Sequence, residues 1–320
     1  MSSLHVVNYE GSKKNAWDAF VSKSKNGIFL FQRDYMEYHA DRFPDNSLMF
    51  YDERGHLVAL LPATVKDDVI SSHAGLTFGG ILTDADMKVG LMLDVFDAML
   101  DTMRAQRLRH LVYKTVPHIY HRLPAEEDLY ALFRQGARLC RRDVSVTIQL
   151  PARRPLGKGR KGALKQAQKA GLEVNRSFDF VTFMSIEERV LAAKYQTRPI
   201  HTAAELTLLA DRFPDNIKLF AAYQRAAMIA GVIIFESDQV AHAQYIGVAD
   251  DGRKCGALDL IMNYLINDYY ATKRYFDFGI STEDNGRYLN AGLVENKQSY
   301  GARAVVHDFY ELDLHVDLNK

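Results

Sequence analysis

The sequence has few cysteines and no net charge. Cys140 and Cys255 are the two cysteines in 320 residues, too few for the paired disulfides that stabilise small secreted domains. Forty basic residues balance forty acidic ones, whereas a protein that coats nucleic acid normally carries a large positive excess. We therefore expect reduced thiols, a cytoplasmic location and no DNA partner. Any binding of phosphates must then come from a local group of charges.

Segments that would export the chain or insert it into a membrane are also missing. The longest nearly continuous apolar stretch, residues 226–235, has half the length of ~20 residues that a membrane-spanning helix needs. The first 17 residues contain no apolar core after their charges, so we expect no signal peptide. Zinc-ligand spacings and the G-x-S-x-G and H-E-x-x-H motifs do not occur, which predicts no bound metal and disfavours hydrolases.

The sequence does contain ample material for a hydrophobic core. Hydrophobic residues make up 48% of it, with 17 Phe and 17 Tyr, and this excludes a mainly disordered chain. The length exceeds the ~100–200 residues of a typical domain, so we expect either two domains or one large one.

One hexapeptide, Asp-Arg-Phe-Pro-Asp-Asn, occurs twice, at residues 41–46 and 211–216. Both copies follow a helical stretch and precede two strand-like runs, of which the first are residues 48–51 and 218–222. Each half continues with a long helix, predicted at residues 88–107 and 256–273, and a further strand. A strand predicted at residues 241–248 precedes the second of these helices. An internal duplication explains this parallel order better than chance or shared turn chemistry. The predicted fold is α/β, with two tandem lobes that each have a mixed, mainly antiparallel sheet flanked by helices. We place the lobes at residues 1–152 and 153–320 and leave open whether the last strand packs on the first lobe.

Two glycine motifs imitate nucleotide-binding signatures. Gly157, Gly159 and Gly162 have the G-x-G-x-x-G spacing, but six residues with two prolines separate them from the preceding strand. A Rossmann turn passes directly from strand to phosphate, so this interpretation is disfavoured. Asp-Phe-Gly at 277–279 lacks the other protein kinase motifs and is predicted to be the end of a strand.

Several polar segments could carry chemistry. Residues 138–169 hold ten basic residues against one acidic residue, which indicates either a solvated surface or a phosphate site between the lobes. Residues 251–257 join a strand to a helix with two glycines and adjacent cations, which suits a pyrophosphate as well as an ordinary turn. Residues 279–297 are a dense polar run, typical of a binding loop or of plain surface. The corresponding loops of the first lobe are residues 72–80 and 117–122.

With these segments the sequence resembles the duplicated-GNAT proteins. These include the Fem-type peptidoglycan aminoacyltransferases and the N-acyltransferases that modify nucleotide-linked amino sugars. The resemblance covers nearly the whole chain and rests on the stretches KGRKGALKQAQKAGLEV, SHAGLTFGG, PHIYHRLPAEEDLYALF and YFDFGISTEDNGRYLNAGLVENKQSYGAR. The last three match the sugar-modifying branch better than the Fem branch, and the long heptad stretch of a Fem-type helical arm is missing.

The resemblance implies that the second lobe binds acyl-CoA and that the acceptor enters a cleft between the lobes. In such enzymes a bulged strand receives the pantetheine, which implicates residues 243–248, and the phosphates would meet residues 253–257. Leu258 stands where this phosphate loop usually has a small residue. The residues expected to bind the cofactor are Ala243, Tyr245, Gly247, Val248, Arg253, Lys254, Gly256 and Ala257.

Direct transfer to an amine requires that the amine loses a proton, attacks the thioester and has its oxyanion stabilised. We expect Asp277 or Glu283 to be the base, with His73 and His121 less favoured, and Tyr245 or Tyr288 to return a proton to the thiolate. The residues expected to bind the acceptor are His73, Tyr120, His121, Asp284, Arg287, Tyr288, Asn290 and Lys297.

Three functions remain open on this basis. The first is an acyl-CoA-dependent N-acyltransferase that modifies an amino sugar, expected to be nucleotide-linked, for surface polysaccharide synthesis. The second keeps the fold but takes aminoacyl-tRNA as donor and a peptidoglycan precursor as acceptor, with residues 138–169 contacting the RNA. The neutral overall charge counts against it, because tRNA binding depends on phosphate neutralisation. The third is a non-catalytic binding module, since a fold does not fix a function.

Overall fold

The structure, a computed structural model, describes residues 4–315 apart from the side chains of Lys194 and Tyr195. The chain forms two compact units. Unit 1 comprises residues 4–143, 284–288 and 306–315, and unit 2 comprises residues 144–283 and 289–305. The sequence left the place of the last strand open, and most of that strand belongs to unit 1. The lobe boundary at residue 152 stays a prediction.

Ten α-helices lie within residues 4–315, and a turn of π-helix at Leu265–Tyr269 continues the ninth. They are α1 (Lys14–Lys23), α2 (Arg33–Met36), α3 (Val89–Ala105), α4 (Glu127–Arg134), α5 (Lys158–Lys169), α6 (Phe180–Tyr195), α7 (Ala203–Arg212), α8 (Asp250–Cys255), α9 (Ala257–Tyr264) and α10 (Ala291–Gln298). Helix α7 begins with a capping box, in which the Thr202 hydroxyl accepts from the Glu205 N–H and the Glu205 carboxylate accepts from the Thr202 N–H. None of these helices is long and apolar enough to cross a membrane.

Sixteen strands lie in the same described range. They are β1 (His5–Asn8), β2 (Leu48–Tyr51), β3 (Leu57–Leu61), β4 (Thr64–Lys66), β5 (Val69–Ser71), β6 (Leu82–Thr83), β7 (His110–Lys114), β8 (Arg138–Gln149), β9 (Glu173–Ser177), β10 (Ile217–Gln224), β11 (Ala227–Glu236), β12 (Val240–Val248), β13 (Tyr275–Ile280), β14 (Thr282–Glu283), β15 (Tyr288–Leu289) and β16 (Arg303–Asp313).

Unit 1 packs helix α3 on two groups of strands. Strands β1, β2, β3 and β6 form an antiparallel sheet in that order, and β4, β5, β7 and β16 are neighbours in a second, mixed group. The apolar face of α3, with Met92, Phe96 and Met99 at helical spacing, is fully buried in one core with Leu48 and Phe50 of β2. Burial of this stripe explains why the helix was predictable from its period.

Unit 2 is a six-stranded sheet covered by helices on both faces. The strand order is β8, β13, β12, β11, β10, β9, with β8 contributing its second half, and every pair is antiparallel except β12 with β13. One face packs against α5 and α9, where Ala167 and Met262 share a core with Val232. The other face packs against α6, where Phe183 lies against Gly231. The expected mixed, mainly antiparallel α/β architecture is confirmed.

Candidate functional site

Strands β12 and β13 of unit 2 form a fork. Their parallel pairing runs from Val240 opposite Tyr275 to His242 opposite Asp277, and within the described residues it goes no further. Beyond His242, β12 continues to Val248 with one edge free of β13. Its other edge pairs with β11 across a bulge, where Gln244 is the extra residue. A bulge bends and twists a strand, so it helps to turn β12 away from β13.

The bulge also decides which side chains of β12 face each side of the sheet. Ala241 and Ala243 belong to the core shared with α9, and beyond the bulge it is Ile246 and Val248 that pack against this core. Tyr245 and Gly247 therefore face the opposite side, toward α6. This reversal follows from the extra residue, because strict alternation would put Tyr245 on the same face as Ala243.

A cavity of about 380 Å³ opens at the fork. Ile246 and Val248 of β12 and Phe278 of β13 form its walls, together with residues from helices on both faces of the sheet. The helical residues include Leu258 and Met262 of α9, Glu187 and Leu191 of α6, and Lys297 of α10. Such a volume is in the range of small-molecule and cofactor sites. Among the residues expected to bind the cofactor, Val248, Arg253 and Gly256 line it.

The glycines of residues 251–257 are needed for packing. A side chain at Gly252 would collide with the Ile229 carbonyl oxygen, and one at Gly256 would collide with the Ala163 carbonyl oxygen. Gly256 also has φ +76°, in the left-handed region that favours glycine. Beside them, Ala257 is buried and Lys254 is an exposed partner of Asp251 at 3.3 Å.

Glu187 is the group at the cavity that the sequence interpretation missed. Its side chain lies on α6 and the residue is 6% exposed, and Oε2 is buried with no hydrogen-bond partner in residues 4–315. A Cβ added at Gly247 would lie 3.1 Å from this oxygen, so the absence of a side chain there makes room for the carboxyl. Burial raises the pKa of Glu187 to about 7.

Asp277 is fully buried and saturated with hydrogen bonds. Its Oδ1 accepts from the hydroxyls of Ser145 at 2.7 Å and Thr147 at 2.6 Å, and its Oδ2 lies 2.7 Å from His242 Nδ1. Asp277 and His242 lie at the closed end of the fork, and neither lines the cavity. Asp277 therefore holds His242 in place, and His242 was not among the predicted site residues.

Lys297 uses all three of its N–H groups inside unit 2. Its Nζ donates to the carbonyl oxygens of Gly279 and Ile280 at 2.8 Å and to the Ser281 hydroxyl at 2.9 Å. Burial lowers the pKa of Lys297 to about 8, although Asp277 acts in the opposite direction. Lys297 thus fixes the end of β13 and contributes to one wall of the cavity.

Tyr245 does not line the cavity. It is buried on the α6 side of the sheet, where its hydroxyl lies 2.7 Å from His201 Nδ1 and accepts from the His201 backbone N–H at 3.2 Å. Burial raises the pKa of Tyr245 to about 12. Its predicted role as a proton donor stays a prediction.

The polar run after β13 is a hairpin followed by a helix. Asp284 and Asn285 have φ of 47° and 52°, values that the turn between β14 and β15 requires and that these residue types tolerate. Asn290 caps α10 by accepting from the Leu293 N–H, and its amide donates to Glu283 at 2.8 Å. Arg287 and Tyr288, like Glu283, are exposed.

Three predicted acceptor-binding residues are buried within residues 4–143 of unit 1. His73 is 2% exposed with φ 62° and packs against the ring of His39, and burial lowers the pKa of His73 to about 3. Tyr120 is buried against Phe78, and His121 Nε2 lies 2.9 Å from the Val116 carbonyl oxygen. Their predicted contacts with an acceptor stay predictions.

Four of the ten basic residues at 138–169 form ion pairs. In unit 1, Arg138 pairs with Glu311, Arg141 with Asp143 at 2.8 Å, and Arg142 with Asp308 at 2.6 Å. In unit 2, Arg160 pairs with Asp259 at 3.1 Å and stacks on Tyr300. Each pairing reduces the positive field that the sequence count suggested.

Comparison with known proteins adds a domain assignment. Residues 156–288 match the family model described as an acetyltransferase (GNAT) domain. This segment contains Glu187, both arms of the fork and the helix that starts beside it. No curated protein matches the chain in sequence.

Solved structures resemble the chain over most of its length. FemX has a TM-score of 0.67 at 10% identity, covering 95% of this chain and 96% of its own. L-PGS from Bacillus licheniformis has a TM-score of 0.60 at 12% identity, covering 90% and 93%. A tandem GNAT protein from the clavulanic acid biosynthesis pathway has a TM-score of 0.53 at 11% identity, covering 98% and 100%. At these identities the likeness concerns the fold. Residues 156–288 thus match a GNAT acetyltransferase domain, and the expected N-acyltransferase class is confirmed through that match.

Proposed function

We propose that the protein transfers an acyl group from acyl-CoA to the amine of a small acceptor. The observation that carries this proposal is the cavity at the fork of β12 and β13, most of whose lining residues lie within the matched GNAT segment. The unpaired edge of β12 offers backbone N–H and C=O groups to an extended ligand, as a missing strand would. A pantetheine chain has amides that suit such an edge.

The proposed donor site has an apolar part and a cationic part. Apolar side chains, including Ile246, Val248 and Phe278, surround the part in which a thioester would lie. Arg253, on the cavity wall, is the proposed partner of the coenzyme phosphates, with Lys254 beside it in the chain. Leu258 lines the same wall. Its side chain narrows the cavity at the position where the family's phosphate loop usually has a small residue.

For the acceptor we propose an amino sugar carried on a nucleotide. The support is the resemblance of SHAGLTFGG, PHIYHRLPAEEDLYALF and the run after β13 to the sugar-modifying branch. Exposed Arg287 and Tyr288 are the proposed contacts for a phosphate or a ring. Acyl-CoA and nucleotide sugars are both made in the cytoplasm, which is therefore the proposed compartment. The compensated arginines in unit 1 disfavour aminoacyl-tRNA as donor.

Calorimetric titration of the purified protein with coenzyme A tests the donor. We expect micromolar binding, and at least tenfold weaker binding by Val248→Phe, because the larger ring would occupy the cavity. Val306→Phe, at an exposed strand position of unit 1, is the matched control and should bind like the wild type. Absence of coenzyme A binding by the wild-type protein would overturn the proposal.

Release of free thiol from acetyl-CoA and longer acyl-CoAs then tests the acceptor. Amino-sugar nucleotides, free amino sugars and simple amines are compared at equal concentration. Turnover with the nucleotide-linked sugars supports the proposed acceptor, and turnover confined to simple amines contradicts it. Binding of aminoacyl-tRNA without binding of coenzyme A would favour the Fem-type alternative.

A further inference from the structure

Glu187 has a position that packing alone does not explain. An apolar residue would fill the space beside Gly247 and Phe183 without desolvating a carboxyl, yet this position on α6 carries a glutamate whose Oε2 has no partner. A buried polar group without a hydrogen bond is costly, and such groups are concentrated where a ligand completes them. Glu187 is one of the residues that line the cavity at the fork, so a ligand in that cavity lies next to this side chain.

We propose that Glu187 is the proton acceptor for the attacking amine. The inference rests on the proposed acyl transfer and names the group that activates the acceptor. A base for an ammonium must be within reach of the reacting nitrogen and must be ionised while remaining basic near neutral pH. Because burial brings the pKa of Glu187 close to neutrality, its carboxylate meets the second requirement better than an exposed carboxylate does.

In the proposed reaction, the Glu187 carboxylate takes one proton from the substrate ammonium. The freed nitrogen lone pair then forms the C–N bond at the thioester carbon. The carbonyl electrons move to oxygen and return when the C–S bond breaks, with the bond pair leaving on sulfur. A second nitrogen proton passes to the sulfur, which gives the amide and the free thiol. Glu187 then releases its proton to solvent.

No ion pair in the described residues compensates Glu187. The pKa of its carboxyl is raised by burial, and no nearby charge adds to this effect. Arg160 and Asp259, across the cavity, already neutralise each other. Other titratable groups on elements around α6 and the cavity include Tyr300 on the cavity wall, Tyr245 of β12, Glu205 of α7, Glu236 at the far end of β11, Arg253 of α8 and Lys297 of α10.

The bases predicted from sequence are less well placed. Glu283 is exposed and holds the amide of Asn290, and it does not line the cavity. Asp277 is enclosed by two hydroxyls and His242 at the closed end of the fork. Among these carboxylates, Glu187 is the one that lines the cavity.

Glu187→Gln tests the inference, because it keeps the shape and removes the basicity. The neighbouring Glu188 is exposed on the same helix, so Glu188→Gln is the matched control. Coenzyme A binding is measured first by calorimetry for the wild type and both variants. Then kcat/KM for the best amine is measured by thiol release from pH 5.5 to 9.

We expect Glu187→Gln to bind coenzyme A within about twofold of the wild type and to lose roughly 10²–10⁴-fold in kcat/KM at pH 7.5. The rise of kcat/KM with an apparent pKa near 7 should disappear in this variant, whereas Glu188→Gln should keep the full wild-type profile. Glu187→Asp should retain the rise near neutral pH at a lower rate. If Glu187→Gln binds coenzyme A and turns over within threefold of the wild type, the inference is overturned while the proposed function stands. If the wild type binds no coenzyme A, both are overturned.

Discussion

Glu187→Gln should stabilise the protein, and the gain should grow with pH. The pKa of Glu187 is about 7 in the folded chain against an ordinary value of 4.5, so the native state disfavours the ionised form. A raised pKa means that the contribution to stability is fully present below pH 4.5 and is lost as the pH rises through 7. Glutamine does not titrate, so the variant escapes this loss.

The expected size follows from linkage. With pKa values of 4.5 unfolded and about 7 folded, the ionisation penalty on the wild type is about 1 kcal/mol at pH 5 and about 3 kcal/mol at pH 8. The buried amide of glutamine has a desolvation cost of its own, which is the same at both pH values. The change in the stability difference between pH 5 and pH 8, about 2.5 kcal/mol, is therefore the quantity to measure.

Guanidinium unfolding followed by far-UV circular dichroism measures this difference. The single tryptophan, Trp17, lies in unit 1 and its fluorescence does not report directly on α6, so circular dichroism is the better signal. Glu188→Gln should change the free energy of unfolding by less than about 0.5 kcal/mol at either pH, as exposed substitutions usually do. A difference between Glu187→Gln and the wild type that stays constant from pH 5 to pH 8 would refute the reasoning. It would mean that the carboxyl is solvated and titrates normally.

Three further substitutions test the surroundings of the fork. Asp277→Asn replaces an acceptor of three side-chain hydrogen bonds and should lower the free energy of unfolding by roughly 2–4 kcal/mol; an unchanged melting temperature would contradict the buried network. Lys297→Met removes the ammonium that donates to the Gly279 and Ile280 carbonyl oxygens and should cost roughly 1–3 kcal/mol in chemical denaturation; a loss below about 0.5 kcal/mol would argue against a structural role of these hydrogen bonds. Gly256→Ala should lower the free energy of unfolding by at least about 1–2 kcal/mol from the left-handed backbone alone. Gly162→Ala, on α5 with open space around it, should instead raise this free energy by up to about 1 kcal/mol. Equal effects of the two substitutions would contradict the packing role of Gly256.

Local patterns predicted the elements of the fold well. The strand predicted at residues 48–51 is β2, and the strand predicted at residues 241–248 lacks only the first residue of β12. The helix predicted over residues 256–273 is instead α9 and a π-helical turn that ends at Tyr269. Apolar period and turn residues are local properties, so they were readable in one sequence. The hydrogen-bond register that ends a helix in a π turn depends on packing, so it could not be predicted from the sequence.

The candidate site was harder to predict because its geometry is set by distant residues. Asp277 was predicted as a base from its local sequence, but its partners Ser145 and Thr147 come from β8, far away in the chain. The bulge at Gln244 reverses the alternation of β12. The family resemblance implied a bulged strand at residues 243–248, but no local pattern in the sequence marks which residue is the extra one. One usable signal was present: Phe183, Glu187 and Leu191 recur at helical spacing, which puts a carboxylate in the apolar stripe of α6.

Unit 1 is built from three separate segments of the chain, so it cannot be completed until most of unit 2 has been synthesised. Strand β16 lies between β7 and the first half of β8, and its residues 306–313 belong to unit 1, while most of unit 2 is encoded between β8 and β16. On the ribosome, β7 must therefore wait with an open hydrogen-bonding edge until unit 2 has been synthesised. An open edge of this kind recruits other strands, so unit 1 is the part exposed to misassembly and to chaperones during synthesis. Unit 2 includes residues 289–305. A chain that ends at residue 305 would therefore retain all the residues of unit 2, but in unit 1 it would lack residues 306–313 of β16, the strand between β7 and β8.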